Sequence, residues 1–148
     1  MIKVVVVEDE VLVKKGLILT TDWQKYGCEV VGEASNGMEG IREITRIRPD
    51  IVITDVRMPG LDGISMIEQI KAGGIKPEFV IISGYSEFEY ARQAVKLGVR
   101  DFLIKPIDDD DLDGALKSTC EAVHDKQRIH KIQDKMNDIS DSRVMLFK

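Results

Sequence analysis

The stretch DIVITDVRMPG, Asp50–Gly60, decides the fold of this 148-residue chain. Its apolar part, Ile51–Thr54, is rich in valine and isoleucine and is followed by the charged residue Asp55 and then by a Pro-Gly pair. A short apolar run with such flanks predicts a parallel strand that is buried on both faces. Asp55 is therefore predicted at the carboxyl end of a buried strand.

Four other runs have the same character, and amphipathic helical patterns separate the five runs. The other predicted strands are Ile2–Val7, Val30–Ala34, Phe79–Ser83 and Asp101–Ile104. The predicted helices are Glu10–Leu19, Gly37–Arg48, Asp62–Ala72 and Glu87–Leu97, with a fifth that begins near Asp108. The periodicity places Val11, Met38 and Val95 on apolar helix faces, and Asn36 and Asp62 are predicted helix caps. Strand and helix alternate five times, which predicts an α/β fold: an open, doubly wound parallel sheet with helices on both faces.

Polar side chains follow the predicted strands at their carboxyl ends. Glu8 and Asp9 follow the first strand, and Asp55 follows the third. Ser83 ends the fourth strand, and Lys105 follows the fifth. The carboxyl ends of parallel strands form one edge of a sheet, and the functional crevice of such folds lies there. We therefore expect these side chains to meet at one point.

The three carboxylates predict a magnesium site and a phosphoryl acceptor. Glu8, Asp9 and Asp55 would bring negative charges close together, which is costly unless a cation is present. Magnesium favours a few carboxylates together with water and phosphate oxygens. Asp55 is the candidate nucleophile, because a carboxylate can attack phosphorus and form an acyl phosphate.

Lys105, Ser83 and Phe102 complete the predicted site. Lys105 would neutralise charge on the transferring phosphoryl oxygens, and Pro106 fixes the backbone that follows it. The Ser83 hydroxyl can donate a hydrogen bond to a phosphoryl oxygen, whereas the alternative interpretation of Ser83-Gly84 is a routine turn. The ring of Phe102 can fill the space next to Ser83, and the alternative for this residue is plain core packing.

Composition excludes some functions and places the chain in a compartment. The net charge is −5 and the basic residues are scattered, which argues against a nucleic-acid surface within this segment. The apolar run near the start is too short for a signal peptide or a membrane span, so we expect a cytoplasmic protein that does not contact the membrane. Cys28 and Cys120 lack metal-binding or Cys-x-x-Cys spacing and are expected to be reduced structural thiols.

Four motifs in order resemble one known family. VVVVEDE, PDIVITDVRMPGLDG, VIISGY and FLIKP are similar to the motifs of the receiver domain of bacterial two-component response regulators, and the resemblance extends from Ile2 to Thr119. It implies a flavodoxin-like fold with five strands in the order 2-1-3-4-5. It also implies a switch that takes a phosphoryl group from a sensor histidine kinase and changes conformation to control an output domain.

The resemblance implies a role for each matching residue. Asp55 is the implied phospho-acceptor, Lys105 the lysine that assists transfer, and Ser83 and Phe102 the switch residues. The implied Mg²⁺ ligands are Glu8, Asp9, Asp55 and the backbone carbonyl of Arg57. Two residues depart from the commoner pattern: Glu8 replaces an aspartate, and Phe102 replaces a tyrosine.

The chain looks more specifically like the receivers that are fused to AraC-type helix-turn-helix domains. The long connection Thr20–Cys28 with Trp23 and the stretch SGYSEFEYARQAVKLG carry this likeness. We expect a receiver domain at residues 1–119 and, at 120–148, a helical linker toward an output domain that these residues do not include. DNA would be bound only through that output domain, so we expect a fragment of a transcription regulator rather than a stand-alone receiver.

The linker carries an apolar seam that has two interpretations. The seam consists of Ile129, Ile132, Met136, Ile139 and Leu146, largely at three- and four-residue steps. It either pairs with a second copy, giving a homodimer on phosphorylation, or packs on its own domain.

Two other functions fit the sequence less well. An aspartate-dependent phosphatase needs a second aspartate two residues after the nucleophile as general acid, and this chain has Arg57 there. A flavin or nucleotide binder needs a phosphate-binding loop after the first strand, where this chain has Glu8-Asp9-Glu10. The sequence therefore predicts a signalling switch rather than an enzyme that turns over external substrates.

Overall fold

The computed structural model describes residues 1–84 and 88–146, except for the side chains of Phe88, Ala91 and 140–146. Five parallel strands form one sheet in the order β2-β1-β3-β4-β5. The strands are β1 (Ile2–Val7), β2 (Cys28–Ala34), β3 (Ile51–Asp55), β4 (Glu78–Ser83) and β5 (Asp101–Ile104). The helices are α1 (Val11–Thr20), α2 (Gly37–Ile47), α3 (Gly63–Ala72), α4 (Phe88–Lys96) and α5 (Asp109–Leu146). The fold class and the strand order are those predicted, although β2 begins at Cys28, two residues before the predicted start.

Strand side chains alternate between two cores, one on each face of the sheet. On the first face, Val4, Val6, Ile51 and Ile53 pack with residues of α1 and α5, and we call this the α1/α5 side. On the second face, the alternate strand residues pack with residues of α2, α3 and α4, and we call this the α2–α4 side. Because both faces are covered, the strands are apolar almost throughout, as the sequence indicates.

The helix caps are as predicted, but some helix faces are not. The side chains of Asn36 and Asp62 each accept a hydrogen bond from a backbone N–H in the first turn of α2 or α3. Val11, Met38 and Val95 are exposed, although the helical periodicity places them on apolar faces. In α1 the buried residues are Leu17 and Lys14, whose Nζ donates to Ser35 Oγ at 2.8 Å and lies 3.4 Å from Glu33.

The long connection between α1 and β2 is ordered around Trp23. It forms a short 3₁₀ helix, Trp23–Tyr26, and the indole is buried in the core on the α1/α5 side. The indole N–H donates to the carbonyl of Ile18 at 2.9 Å. The extra length is therefore part of the domain and supports α5.

The fifth helix continues well past the sheet. Its residues up to Val123 contribute to the core on the α1/α5 side, and Lys126 Nζ donates to the carbonyl of Lys76 at 2.6 Å. Beyond this point Ile129, Ile132, Met136 and Ile139 are between 54% and 61% exposed. Among the described residues these four side chains belong to neither core, and the side chain of Leu146 lies outside the described part of the chain.

No helix in the described ranges has both the length and the apolar character that crossing a membrane requires.

Candidate functional site

The alternation of the strands explains which polar side chains meet. Glu8, Asp55 and Lys105 each lie two residues beyond a strand residue that belongs to the core on the α1/α5 side. Those core residues are Val6, Ile53 and Leu103. Because side chains repeat every second residue along a strand, the three polar side chains are on the same side of the sheet.

Lys105 is the centre of this group. Its Nζ lies 3.0 Å from Glu8 Oε1, 3.0 Å from Asp55 Oδ2 and 3.4 Å from Glu10 Oε1. Burial lowers the pKa of Lys105, but hydrogen bonds to Asp55 and Glu8 outweigh this effect and raise the pKa above its usual value. Lys105 is therefore held as an ammonium ion that binds several carboxylates. The peptide bond between Lys105 and Pro106 is cis.

Asp55 is buried and its carboxylate is fixed in orientation. The residue is 3% exposed. Its Oδ1 accepts a hydrogen bond from the backbone N–H of Val56 at 2.7 Å, and its Oδ2 accepts one from Lys105. The loop that follows packs closely, since the N–H of Gly63 donates to the carbonyl of Val56 at 2.7 Å. A carboxylate held in this way would need little reorganisation to act as a nucleophile.

Four carboxylates form a cluster next to Lys105. Ligand atoms of Glu8, Asp9, Glu10 and Asp55 all lie within 4.8 Å of one another. Within residues 1–84 and 88–146, Glu8 Oε2 and Asp9 Oδ1 are buried without a hydrogen-bond partner. Buried polar atoms are normally satisfied, so two unsatisfied carboxylate oxygens on one cluster fit a site that binds a cation. Oxygen-only ligands of this kind suit a hard divalent ion such as Mg²⁺.

The pKa values of the cluster agree with this interpretation. Burial raises the pKa of Glu8 to about 7; Lys105 opposes the rise, and the charge of Asp55 adds to it. Burial also raises the pKa of Asp9, with a further contribution from Asp55. These shifts express the cost of crowded negative charge, which a bound cation would remove.

Ser83 and Phe102 are near one another but face away from the carboxylates. Ser83 is buried, and its Oγ donates to the carbonyl of Gly84 at 3.5 Å. Phe102 is paired with Ile81, two residues before Ser83, and packs against the core on the α2–α4 side. The main chain of Ser83 does contact Lys105, because the backbone N–H of Lys105 donates a hydrogen bond to the Ser83 carbonyl at 2.8 Å.

Arg57 and the stretch that follows Ser83 are the remaining parts of the predicted site. The side chain of Arg57 is exposed, and its role as a ligand through the backbone carbonyl stays a prediction. Residues 85–87 of the stretch SGYSEFEYARQAVKLG and the predicted helix start at Glu87 lie outside the described residues.

Glu10 is a site residue that the sequence analysis did not single out. It lies within reach of both Lys105 and the other carboxylates. The signal was present in the run Glu8-Asp9-Glu10, but the end of a strand does not show whether the third acidic residue turns inward or outward.

Comparison with known proteins identifies relatives of the chain. A family model, the response regulator receiver domain, matches residues 4–117. The transcriptional regulatory protein YesN of Bacillus subtilis is 35% identical over 131 residues, which cover 88% of this chain and 35% of YesN. HptR, a transcriptional regulatory protein of Staphylococcus aureus, is 33% identical over 108 residues, which cover 73% of this chain and 42% of HptR. The chain thus spans less than half the length of these curated relatives.

Solved structures show the same fold. The receiver domain of AraT, a response regulator from Geobacillus stearothermophilus, superposes with a TM-score of 0.80 at 32% identity, covering 84% of this chain and 97% of that one. A two-component transcriptional regulator AraC from Clostridium phytofermentans gives a TM-score of 0.78 at 30% identity, with coverage of 86% and 98%. The family model matches most of the chain and these neighbours share its sheet, and we conclude that the chain belongs to the response regulator receiver domain family.

Proposed function

We propose that Asp55 accepts a phosphoryl group from a sensor histidine kinase and that this modification switches the conformation of the domain. The observation that carries the proposal is the position of Lys105, whose Nζ is 3.0 Å from Asp55 and 3.0 Å from Glu8 beside the buried, unsatisfied oxygens of Glu8 and Asp9. A buried nucleophile, a fixed ammonium ion and a carboxylate cluster are the groups that phosphoryl transfer to an aspartate requires.

The residues of the chain divide the chemistry between them. A carboxylate oxygen of Asp55 attacks phosphorus, an O–P bond forms, and the bond from phosphorus to the donor nitrogen breaks. The Val56 N–H holds the other part of the carboxylate in place, since it is 2.7 Å from Oδ1. Lys105 neutralises charge on the phosphoryl oxygens. The same site would hydrolyse the acyl phosphate, so the domain catalyses only its own modification and its reversal.

The carboxylates of Glu8, Asp9 and Asp55 and the backbone carbonyl of Arg57 would hold Mg²⁺. When bound, this ion supplies positive charge to the oxygens of the transferring group. The unsatisfied oxygens of Glu8 and Asp9 support this assignment.

We further propose that Ser83 and Phe102 carry the signal away from Asp55. A phosphoryl group offers acceptor oxygens to the Ser83 hydroxyl, whose hydrogen bond to Gly84 is long at 3.5 Å. Movement of Ser83 toward Asp55 would vacate space on the α2–α4 side, which the half-buried ring of Phe102 would fill by changing rotamer.

The organisation of the whole protein is also a proposal. Residues 1–119 form the receiver, and 120–148 form a linker to an output domain that acts as a transcription regulator. The names of the relatives and their greater length support this assignment. DNA binding would then belong to the output domain, and the protein would act in the cytoplasm.

Intact mass after incubation with Mg²⁺ and a small phosphodonor tests the proposed function. We expect the mass of one phosphoryl group to be added to the parent chain, and we expect no addition in Asp55→Asn or after removal of Mg²⁺ with a chelator. Equal labelling of Asp55→Asn and of the parent chain would show that another residue is the acceptor.

A further inference from the structure

Cys28 and Cys120 lie against each other, although 92 positions separate them in the sequence. Cys28 begins β2 and Cys120 lies in α5, and their Sγ atoms are 3.4 Å apart. Both are buried, Cys28 at 1% and Cys120 at 6% exposure. They are the two cysteines of the chain, and both are free thiols as expected. Their proximity was not predicted.

The geometry allows a bond between them. The S–S distance of a disulfide is about 2.05 Å, so the two sulfur atoms need to approach by roughly 1.3 Å from their separation of 3.4 Å. This small movement is within the range that a rotation of the two side chains can supply.

The two thiols have different surroundings. Cys120 lines a surface groove whose other charged residues are Lys25, Lys117, Arg128 and one carboxylate, Glu121, and which also contains His124. Cationic neighbours favour a thiolate, which is the reactive form of cysteine. Cys28 lies at a different part of the surface and is 3.8 Å from the carbonyl of Tyr26, an acceptor for its proton.

The direction of the pKa shifts agrees with this difference. A hydrogen bond from the Cys28 thiol lowers the pKa of Cys120. The same hydrogen bond raises the pKa of Cys28, and burial raises it further. The directions of these two shifts favour the thiolate at Cys120 over the thiolate at Cys28.

We propose that Cys120 and Cys28 are a peroxide-reactive pair in which Cys120 reacts first with the peroxide and Cys28 resolves the product to an intramolecular disulfide. The Cys120 thiolate attacks one oxygen of hydrogen peroxide, the O–O bond breaks, and the leaving hydroxide takes up a proton to become water. The Cys28 sulfur then attacks the sulfenic sulfur of Cys120, and the hydroxide that leaves combines with the Cys28 proton as a second water. Two thiols lose two electrons in total, and the peroxide gains them.

The bond would join the sheet to the helix that leads into the linker. Cys120 lies one turn before Val123, the last α5 residue that belongs to the core. Past Val123 the helix carries the exposed seam. The disulfide would therefore fix α5 to β2 at the place where the helix leaves the domain, independently of phosphorylation at Asp55.

Peroxide treatment of the full chain tests this proposal. The reduced chain is incubated in native buffer with a small excess of hydrogen peroxide, alkylated under denaturing conditions, weighed and then digested without reductant. We expect loss of two hydrogen atoms, no added alkyl group, and one peptide pair that joins Cys28 to Cys120 and separates with reductant. Two alkylated thiols, a disulfide between two chains, or sulfinic acid on Cys120 would each overturn the proposal.

Three matched samples test the order of the steps and the role of the fold. In Cys28→Ala, Cys120 should stop at the sulfenic acid and react with dimedone, whereas in Cys120→Ala the remaining thiol should react at least about tenfold more slowly. Equal rates in the two variants would refute the assigned order. In the parent chain, closure should slow in denaturant, and Asp55→Asn should close as fast as the parent. A failure of Cys28 and Cys120 to form the disulfide would thus be distinguishable from a failure of Asp55 to accept a phosphoryl group.

Discussion

Lys105 balances the negative charge of the site when no cation is bound. Its ammonium group is shared among Glu8, Glu10 and Asp55, so each carboxylate receives part of one positive charge. Asp9 has a buried oxygen without a partner and is not among the ion-pair partners of Lys105 in the described residues. We therefore expect a second cation to bind next to Asp9 Oδ1 and Glu8 Oε2, the two buried oxygens without a partner in the described residues.

Removal of Asp9 should weaken Mg²⁺ binding more than removal of Glu8. We expect Asp9→Ala to lose Mg²⁺ affinity by at least about tenfold, because loss of outer-shell partners alone costs that much in other metal sites. Glu8→Ala should lose less, since one oxygen of Glu8 already binds Lys105. Calorimetric titration with Mg²⁺ measures both, with Glu29→Ala as the control, because Glu29 is exposed and lies outside the carboxylate cluster. An unchanged Mg²⁺ affinity in Asp9→Ala would refute the ligand assignment.

The hydrogen bond from Tyr26 to Asp113 joins the 3₁₀ helix to α5 and should depend on pH. The bond to Asp113 raises the pKa of Tyr26 to about 12, and the same bond lowers the pKa of Asp113 to about 2. Because the pKa of Tyr26 is raised, this hydrogen bond stabilises the fold fully below the ordinary tyrosine pKa of 10.0, and the stabilisation is lost as pH rises toward about 12. Because the pKa of Asp113 is lowered, the stabilisation is complete above the ordinary aspartate pKa of 3.8 and is lost as pH falls toward about 2.

Tyr26→Phe should therefore lower the thermal midpoint at neutral pH and have a smaller effect at either extreme. In Asp113→Asn, the phenol of Tyr26 should ionise at a lower pH than in the parent, as followed by phenolate absorbance. A phenol that titrates alike in both proteins would show that Asp113 is not the cause.

At the scale of elements, the loop between β3 and α3 fixes the position of Asp55. Gly63 begins α3, and a Cβ atom there would lie 2.2 Å from the carbonyl oxygen of Asp55. Gly37, at the start of α2, makes an equally close approach, since its Cβ would lie 2.4 Å from the carbonyl oxygen of Leu61. The two glycines let the loop lie against both helices.

Gly63→Ala should destabilise the domain by about 1–3 kcal/mol, because backbone must move to make room for the added methyl group. Gly114→Ala is the matched control, since its Cβ meets nothing within 4 Å in α5. That change should stabilise the domain by about 0.5–1 kcal/mol through helix propensity. Denaturant unfolding measures both changes. If Gly63→Ala were as stable as the parent chain, the close packing of the loop would be contradicted.

Strands and their end residues could be predicted because buried parallel strands have a distinctive composition. The runs around Asp55 and Lys105 show this directly, and strand alternation explains why those two side chains meet. Helical periodicity was less informative. Val11 is exposed and Lys14 is buried, because the position of β2 beside α1 supplies the partners of Lys14. The proximity of Cys28 and Cys120 also depends on how α5 lies across the sheet, which local sequence does not encode.

At the scale of the whole molecule, α5 connects the proposed phosphoryl site to the proposed linker. The helix starts shortly after Lys105 and Pro106, contributes to the core through Val123 and continues to Leu146. Its exposed seam at Ile129, Ile132, Met136 and Ile139 has no partner in its own domain among the described residues. Apolar residues at three- and four-residue steps on an exposed helix are typical of a coiled-coil seam.

Phosphorylation should therefore increase self-association through this seam. Sedimentation at matched concentrations, with and without beryllofluoride as a phosphoryl mimic, should show a larger average mass with the mimic. Ser83→Ala should weaken this response and leave labelling of Asp55 largely intact, and Ile132→Asn should abolish the response without affecting labelling. A mass distribution that beryllofluoride leaves unchanged well above micromolar concentration would contradict the coupling.

The central claim is that Asp55 is the phosphoryl acceptor, and the position of the acyl phosphate tests it most directly. Borohydride reduction of the phosphorylated chain converts an aspartyl phosphate to homoserine, which peptide sequencing by mass spectrometry locates. We predict homoserine at position 55, and its loss when Mg²⁺ is withheld. Homoserine at Asp9 or another aspartate in place of Asp55, the reduced glutamate 2-amino-5-hydroxypentanoic acid at Glu8 or another glutamate, or a phosphoryl group that resists borohydride would contradict the account.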